Sequence, residues 1–248
     1  MADFLGIIPA RYASTRFPGK ALALLDNKPI VQWVYERISP LLDHLLVATD
    51  DVRIKNAVDS FGGSAIMTSP DHGNGTERCF EAYRIYRERT GVDFTHVINI
   101  QGDQPMIRKE QLNILMECAA RDGVRIATLI KPLADIKDLE NPNVVKVVVD
   151  NNFRALYFSR TPIPFRRDPD KDILEQGVTY YGHIGLYAFR SRILEQVVQL
   201  QSTPLERAES LEQLRWLESG FPIQTKISHY TAVSVDTPED LEKISSLL

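Results

Sequence analysis

The sequence predicts an α/β protein in which a mainly parallel sheet carries helices on both faces. Three observations lead there. Short continuous apolar runs at 4–8, 44–49, 96–100 and 126–130 end in turn-forming residues, as strands buried on both faces do. Elsewhere apolar residues recur at helical spacing, as in Ile30, Val31, Val34, Ile38 and Leu41. Strand and helix patterns alternate through the first half of the chain, as parallel strands joined by crossover helices require.

In order, the first strand, 4–8, runs into Pro9, and Pro29 opens a helix that reaches about residue 41. A strand at 44–49 is closed by Asp50 and Asp51, a helix at 52–61 is ended by Gly62 and Gly63, and a strand follows at 64–67. Residues 69–75 are too rich in turn formers to be anything but a loop, after which Thr76 and Glu77 open a helix to about Arg89. Arg78 falls in its first turn, where a cation opposes the helix dipole unless an acid or a bound anion lies nearby. A strand at 96–100, a helix at 109–122 and strands at 126–130, 144–149 and 155–159 follow.

Beyond Ser159, a proline-punctuated run cannot be a central strand, so residues 160–181 read as an excursion whose apolar Pro162 to Phe165 have no obvious partner within the chain. A strand at 182–189 places His183 and Tyr187 on one side, because they are four residues apart at period two. Helices are expected at 191–200 and from Pro204, with Leu205, Ala208, Leu211, Leu214 and Leu217 as a buried stripe and Glu212 and Gln213 beside it. A late strand, 223–227, precedes a last helix that starts at Pro238 with Asp236 or Thr237 as its cap.

Of 248 residues, 44 % are hydrophobic and 25 % charged, enough to bury a sizeable core. A net charge of −4 argues against a nucleic-acid partner, so any phosphate site has to be local. Cys79 and Cys118 are too few for a disulfide framework and read as small buried residues of a reducing compartment. No stretch approaches the roughly 20 apolar residues of a membrane span, and Asp3 stands where a secretory leader would be basic. A cytoplasmic protein without membrane insertion is expected.

Two stretches carry chemistry. Directly after the first strand, Arg11, Arg16 and Lys20 bring three cations among hydroxyls, with Gly19 to let a ligand approach the backbone and Pro9 and Pro18 to stiffen the loop. A triphosphate suits such a loop, although a solvated basic turn would also explain scattered Arg and Lys. The common nucleotide motifs are absent: Ser14 and Ala21 break the Gly-x-x-x-x-Gly-Lys-Ser/Thr pattern, and no Gly-x-Gly-x-x-Gly occurs. The second stretch is Gln101-Gly-Asp-Gln-Pro105. Asp103 lies just past a buried strand, where an α/β enzyme would hold a metal on substrate phosphates and where a simple turn would also place an acid.

Taken together, the basic loop 7–20, Gly75-Thr-Glu-Arg78, Gln101 to Pro105, Tyr157-Phe-Ser-Arg-Thr-Pro-Ile-Pro164, Leu211-Glu-Gln-Leu-Arg215 and Val235-Asp-Thr-Pro-Glu-Asp240 closely resemble the 3-deoxy-manno-octulosonate (Kdo) cytidylyltransferase family from end to end. Gln104, where the family often has Glu, and the poorly matching 168–179 are departures. The resemblance implies one nucleotidyltransferase domain over 1–248, a three-layer sandwich with a mixed, mainly parallel sheet that is nucleotide-diphospho-sugar transferase-like and Rossmann-like. It implies a homodimer, with the excursion at about 160–181 involved in dimerisation. It also implies attack of the anomeric hydroxyl of Kdo on the α-phosphate of CTP, giving CMP-Kdo and pyrophosphate for lipopolysaccharide biosynthesis.

By the same resemblance, Arg11 and Lys20 would hold the triphosphate, supported by Ser14 and Arg16, while Pro9 and Ala10 lie against cytosine. Asp103 and Asp236 would bind Mg²⁺. Arg78, Gln101, Arg160, His183, Tyr187, Glu212 and Gln213 would line the Kdo pocket, where guanidinium groups suit a sugar carboxylate. A CMP-sialic acid synthetase or other sugar nucleotidyltransferase stays open, as does a catalytically silent nucleotide-binding regulator, which would have no need of two metal carboxylates. A glycosyltransferase would want an Asp-x-Asp site, but Gln104 and Pro105 follow Asp103.

Overall fold

The computed structural model describes residues 3–13, 17–167, 177–230 and 234–245. In chain order its elements are β1 (Phe4–Ala10), a 3₁₀ turn (Lys20–Leu22), β2 (Leu24–Leu25), β3 (Lys28–Pro29), α1 (Ile30–Ile38), β4 (Leu45–Thr49), α2 (Val52–Ser60), β5 (Ala65–Met67), α3 (Gly75–Thr90) and β6 (His96–Asn99). Then come α4 (Lys109–Ala119), β7 (Ile126–Pro132), α5 (Ile136–Glu140), β8 (Lys146–Val149), β9 (Ala155–Ser159) and β10 (Tyr181–Arg190). The last are α6 (Ser191–Val197), α7 (Pro204–Glu209), α8 (Glu212–Glu218), β11 (Ile223–Ile227) and α9 (Pro238–Ser245). The predicted fold class is the observed one: α/β, with a mixed, mostly parallel sheet and flanking helices.

The chain groups into two units, Met1–Asn113 with Ala188–Val198 and Ala232–Leu248, and Ile114–Tyr187 with Gln199–Thr231. In the first unit the strand order is β6-β1-β4-β5, all parallel. Every residue of β4 and β6 is buried, as strands covered on both faces must be. Leu5, Ile7, Ile8, Leu46, Val47, Val97 and Ile98 are fully enclosed, each contributing about 1.5–3 kcal/mol to the core. Strand β1 runs two residues further than its apolar pattern suggested, through Pro9 to Ala10. Its register with β6 ends at Ile7 while that with β4 continues to Ala10, so the N–H that Pro9 lacks would find no ladder partner on the β6 side.

In the second unit β7 and β11 pair in parallel, Ile126 opposite Ile223, while β8 is antiparallel to both β9 and β10. His183 and Tyr187 share one side of β10 as their spacing requires, with ring centroids 5.2 Å apart. Both cysteines are buried and neither forms a disulfide.

Some elements depart from the sequence reading. The helix expected from Pro204 is two helices, because Ser210 turns left-handed (φ 52°) between α7 and α8. Leu205 and Ala208 are therefore exposed, and the buried face belongs to Leu211, Leu214 and Trp216. Asp26 and Asn27, both at positive φ, make a tight β2–β3 hairpin that the apolar pattern did not show. Helix α5, five residues capped by the Asp135 carboxylate, is too short to leave a periodic signal. Helix α3 begins one residue earlier than expected, with Asn74 as its cap.

Candidate active site

A cleft of about 320 Å³ opens in the first unit, lined by the C-terminal ends of β1 and β6, the loop before α3 and Asp236 ahead of α9. The local chain conformation explains why these groups meet. Gly19 is left-handed at φ 71°, and a Cβ there would stand 3.1 Å from the Tyr12 ring, which the Arg53 guanidinium stacks upon at 3.3 Å. The glycine thus serves the turn that presents Lys20, a different reason from the ligand approach inferred from sequence. Gly102 is needed because a Cβ would meet the Pro9 carbonyl oxygen at 2.8 Å, forcing the β1 and β6 ends apart.

Across the cleft, Lys20 Nζ lies 2.6 Å from Asp103 Oδ2 and 3.4 Å from Asp236 Oδ1. The Val235 N–H donates to the Asp103 carbonyl at 2.8 Å, fixing the second acid's segment beside the first. Helix α9 starts at Pro238, and its first turn needs a cap. That work is done by Thr237 and Asp240: the Asp240 N–H donates to Thr237 Oγ1 at 3.3 Å, and Asp240 Oδ2 accepts from the N–H groups of Asp236 and Thr237 at 3.2 and 3.1 Å. Two carboxylates from distant parts of the chain therefore converge on one cation. That donor set suits a hard divalent ion, which takes one or two carboxylates and completes its shell with phosphate oxygens and water. Among the described residues no group of three or more His, Cys, Asp or Glu side chains is arranged to hold a metal without such help.

Arg78, also on the cleft wall, is almost fully buried and finds the acidic partner that its place in a helix first turn demands: its Nη2 donates to Asp50 Oδ2 at 3.0 Å. Its Nη1 donates to Thr68 Oγ1 at 2.6 Å and to the Ser69 carbonyl at 3.3 Å. The loop ahead of α3 is held by that helix's own acids. His72 Nε2 pairs with Glu81 Oε2 at 2.6 Å, the Ser69 N–H donates to the same oxygen at 2.7 Å, and the Gly73 N–H donates to Glu77 Oε2 at 3.0 Å. Burial pushes the Glu81 carboxyl up, but the Ser69 N–H and His72 together hold it below its ordinary range.

Of the residues singled out in the sequence, Pro9, Ala10, Arg11, Lys20, Arg78, Gln101, Asp103 and Asp236 line this one cleft. Ser14 and Arg16 lie outside the described residues. His72 and Asn74 on the cleft wall and Asp50 behind Arg78 were missed, yet Asp50 obeys the rule that exposed Asp103, an acid just past the end of a parallel strand.

Arg160, His183, Tyr187, Glu212 and Gln213 belong to the second unit. There His183 Nε2 meets Thr128 Oγ1 at 3.0 Å and its ring stands edge-on to Phe158, while the Tyr187 ring packs against His183 and Trp216. Burial depresses the His183 imidazole to about 3 and, aided by the Glu212 carboxylate, pushes the Tyr187 phenol well above its ordinary value. Arg160 directs its guanidinium at main chain, donating to the carbonyls of Glu209 at 2.7 Å, Pro142 at 3.1 Å and Ser210 at 3.2 Å.

An acid pair and a basic loop at the carboxyl ends of parallel strands are a nucleotide-handling arrangement. Residues 5–244 match the family model described as cytidylyltransferase. The chain belongs to the cytidylyltransferase family. That makes it a nucleotidyltransferase. Within the family it is 50 % identical to the 3-deoxy-manno-octulosonate cytidylyltransferase of Phocaeicola vulgatus, over 99 % of this chain and 97 % of that one. It is 51 % identical to the protein of the same name from Bacteroides thetaiotaomicron, over 99 % and 98 %. A solved structure of CMP:2-keto-3-deoxy-manno-octonic acid synthetase complexed with CTP superposes with a TM-score of 0.89 at 40 % identity, covering 99 % of this chain and 98 % of that one. The 4-diphosphocytidyl-2C-methyl-D-erythritol synthase of Anaerococcus prevotii, at 12 % identity and a TM-score of 0.61, shares the cytidylyltransferase fold alone.

Proposed function

We propose that this cytidylyltransferase joins CTP to 3-deoxy-manno-octulosonate, giving the CMP-sugar acid and pyrophosphate for lipopolysaccharide biosynthesis. The observation that carries the reading is the convergence of Asp103 and Asp236 on Lys20 in a cleft that also holds Arg11, because the two cations suit a triphosphate and the two acids suit the divalent ion that would accompany it. The anomeric oxygen of the sugar acid forms a bond to the α-phosphorus, its proton passes to solvent, and the bond from that phosphorus to the bridging oxygen breaks with pyrophosphate as leaving group. Lys20 and Arg11 lower the negative charge that the incoming oxygen meets and that the leaving group develops. Asp103 and Asp236 are the residues that would hold Mg²⁺, which supplies Lewis-acid stabilisation of the phosphoryl charge. Pro9 and Ala10 offer the end of β1 to the base, and Arg160, Glu212 and Gln213 are assigned to the sugar acid.

Homodimer formation and a cytoplasmic setting, where CTP is available, belong to the same proposal. Phe165 of the proline-rich excursion is 86 % exposed, which fits burial against a second copy, and no helix of the described residues is long and apolar enough to cross a membrane. Light scattering is expected to give twice the chain mass of 28.1 kDa. The deciding experiment is pyrophosphate release with CTP, Mg²⁺ and either Kdo or sialic acid. Release with Kdo well above that with sialic acid is expected, and equal or faster turnover of sialic acid would move the assignment to a CMP-sialic acid synthetase.

A further inference from the structure

Lys146 in β8 is completely buried, yet no step of the chemistry above uses it. An ammonium removed from water is costly unless its donors are met. Here Nζ donates to the Asn141 carbonyl at 2.9 Å and to the Arg160 carbonyl. Burial lowers the lysine's pKa, Glu209 works against that shift, and Arg160 adds to it. Glu209 in turn grips the other side of the same peptide run: its carboxylate accepts the Ser159 hydroxyl at 2.7 Å and the Arg160 N–H at 2.8 Å. Residue 160 is thus clamped at its carbonyl by Lys146 and at its amide by Glu209.

Three chain corners meet at this clamp. They are the end of α5 at Asn141 and Pro142, the end of β9 at Arg160, and the α7–α8 junction at Glu209 and Ser210. Glu212 and Gln213 open α8 just past that junction, so whatever shifts Ser210 shifts them too. Stability alone gives no reason for charge here, since well-packed apolar side chains commonly serve as well as a buried ion pair. What charge adds is direction: a long point donor reaching two main-chain carbonyls, and a carboxylate taking the Ser159 hydroxyl and the Arg160 N–H, fix the chain at the end of β9.

We propose that Lys146 and Glu209 are positioning residues that set Arg160 and the start of α8 in the geometry that receives the sugar acid. This rests on the proposed function, which assigns Arg160, Glu212 and Gln213 to that substrate. Neither clamp residue touches substrate, and both act through the main chain of residue 160.

The test uses the full-length chain with Lys146→Met, which keeps length and removes the donors, and Glu209→Gln, which keeps an amide oxygen as acceptor. Lys146→Met is expected to raise KM for Kdo by about tenfold or more while KM for CTP stays within about twofold. Glu209→Gln is expected to do the same more mildly, with the double variant short of the product of the two effects. Substrate-free amide hydrogen exchange is read alongside: exchange at residues 159–161 and 210–213 is expected to rise together in Lys146→Met, with that of β7 unchanged. Equal changes in both KM values, a fall in kcat alone, or faster exchange spread over the whole second unit would overturn the inference and leave a purely structural lysine. Should Lys146→Met fail to fold, Glu209→Gln decides by the same readouts. A wild-type chain that consumed no sugar acid would defeat the functional reading by itself, whereas uncoupled exchange at residues 160 and 210–213 would defeat the clamp whatever the substrate.

Discussion

In the cleft of the first unit, Lys20, Asp103 and Asp236 keep 17, 26 and 33 % of their side chains exposed and meet one another side chain to side chain. Around Lys146 in the second unit, the charged groups are pinned chiefly to main-chain carbonyls and amides. The difference separates two uses of charge. A side-chain partner can be exchanged for a ligand by a rotamer change, so the cleft's ion pairs can yield to a triphosphate at small cost. A main-chain partner cannot leave without moving the fold, so the second unit's charges serve geometry. Removing a cleft charge should therefore cost activity, and removing a pinned or buried charge should cost structure.

The largest expected effect is on the cleft side. Asp103→Asn and Asp236→Asn should each lower turnover by about a hundredfold or more, in line with the loss of a carboxylate that would hold the cation stabilising transition-state charge. The thermal midpoint of either variant should stay level or rise slightly, since each removes one of two carboxylates that share Lys20. Because Thr237 and Asp240 already cap α9, Asp236→Asn tests the acid's chemistry without disturbing the helix. Near-normal turnover of Asp236→Asn at limiting Mg²⁺ would remove it from the metal assignment.

Arg78 tests the boundary between the two uses, since it lines the cleft and is also buried against Asp50. Arg78→Ala strands a buried carboxylate, and a cost of about 3 kcal/mol is expected, visible as a lower urea midpoint before any kinetic constant is measured. If stability were unchanged and only KM for the sugar acid rose, Arg78 would belong with the exchangeable cleft charges.

The same boundary explains what the sequence revealed. Strands β9 and β11 were legible to the residue, because buried apolar runs bounded by turns carry their own limits. Lys20 and Asp103 were legible because glycine and strand ends mark the places where a backbone presents side chains. Lys146 was illegible: nothing within the run 144–149 marks it as buried, and its acceptors are carbonyls that no residue type announces. Asp50 was read as a strand terminator because its partner lies far along the chain. The break between α7 and α8 was hidden because serine gives little sign of a left-handed turn.

His183 offers a smaller effect with a definite pH dependence. In the unfolded chain the imidazole titrates near 6.5, and in the folded chain near 3. Between those values the unfolded state binds more protons, so the contribution is complete above about pH 6.5 and is lost as pH falls, by about 1.4 kcal/mol per unit. His183→Gln, which can still bond Thr128, should flatten this part of the profile in urea melts taken from pH 7 to 4. Parallel profiles for the variant and the wild type would mean that water reaches the ring.

The smallest expected effect lies at Ser210, whose main chain both turns left-handed between α7 and α8 and accepts from Arg160. Its left-handed conformation (φ 52°) costs an L-residue about 1 kcal/mol that glycine does not pay, while glycine gives up part of that gain through a freer unfolded chain. Ser210→Gly should therefore raise stability by about 0.5 kcal/mol, a shift of about 1–2 °C in Tm for a protein of this size. It also keeps the carbonyl that accepts from Arg160. Ser210→Val has the opposite effect: a β-branched side chain resists positive φ, so the α7–α8 corner must open. If the second unit's charges set geometry, that opening should weaken sugar-acid binding together with stability, because Arg160, Glu212 and Gln213 all take their placement from the corner. A Ser210→Val variant that lost stability yet kept its KM for Kdo would separate the corner from the site, and the contrast between the two regions would then reduce to burial.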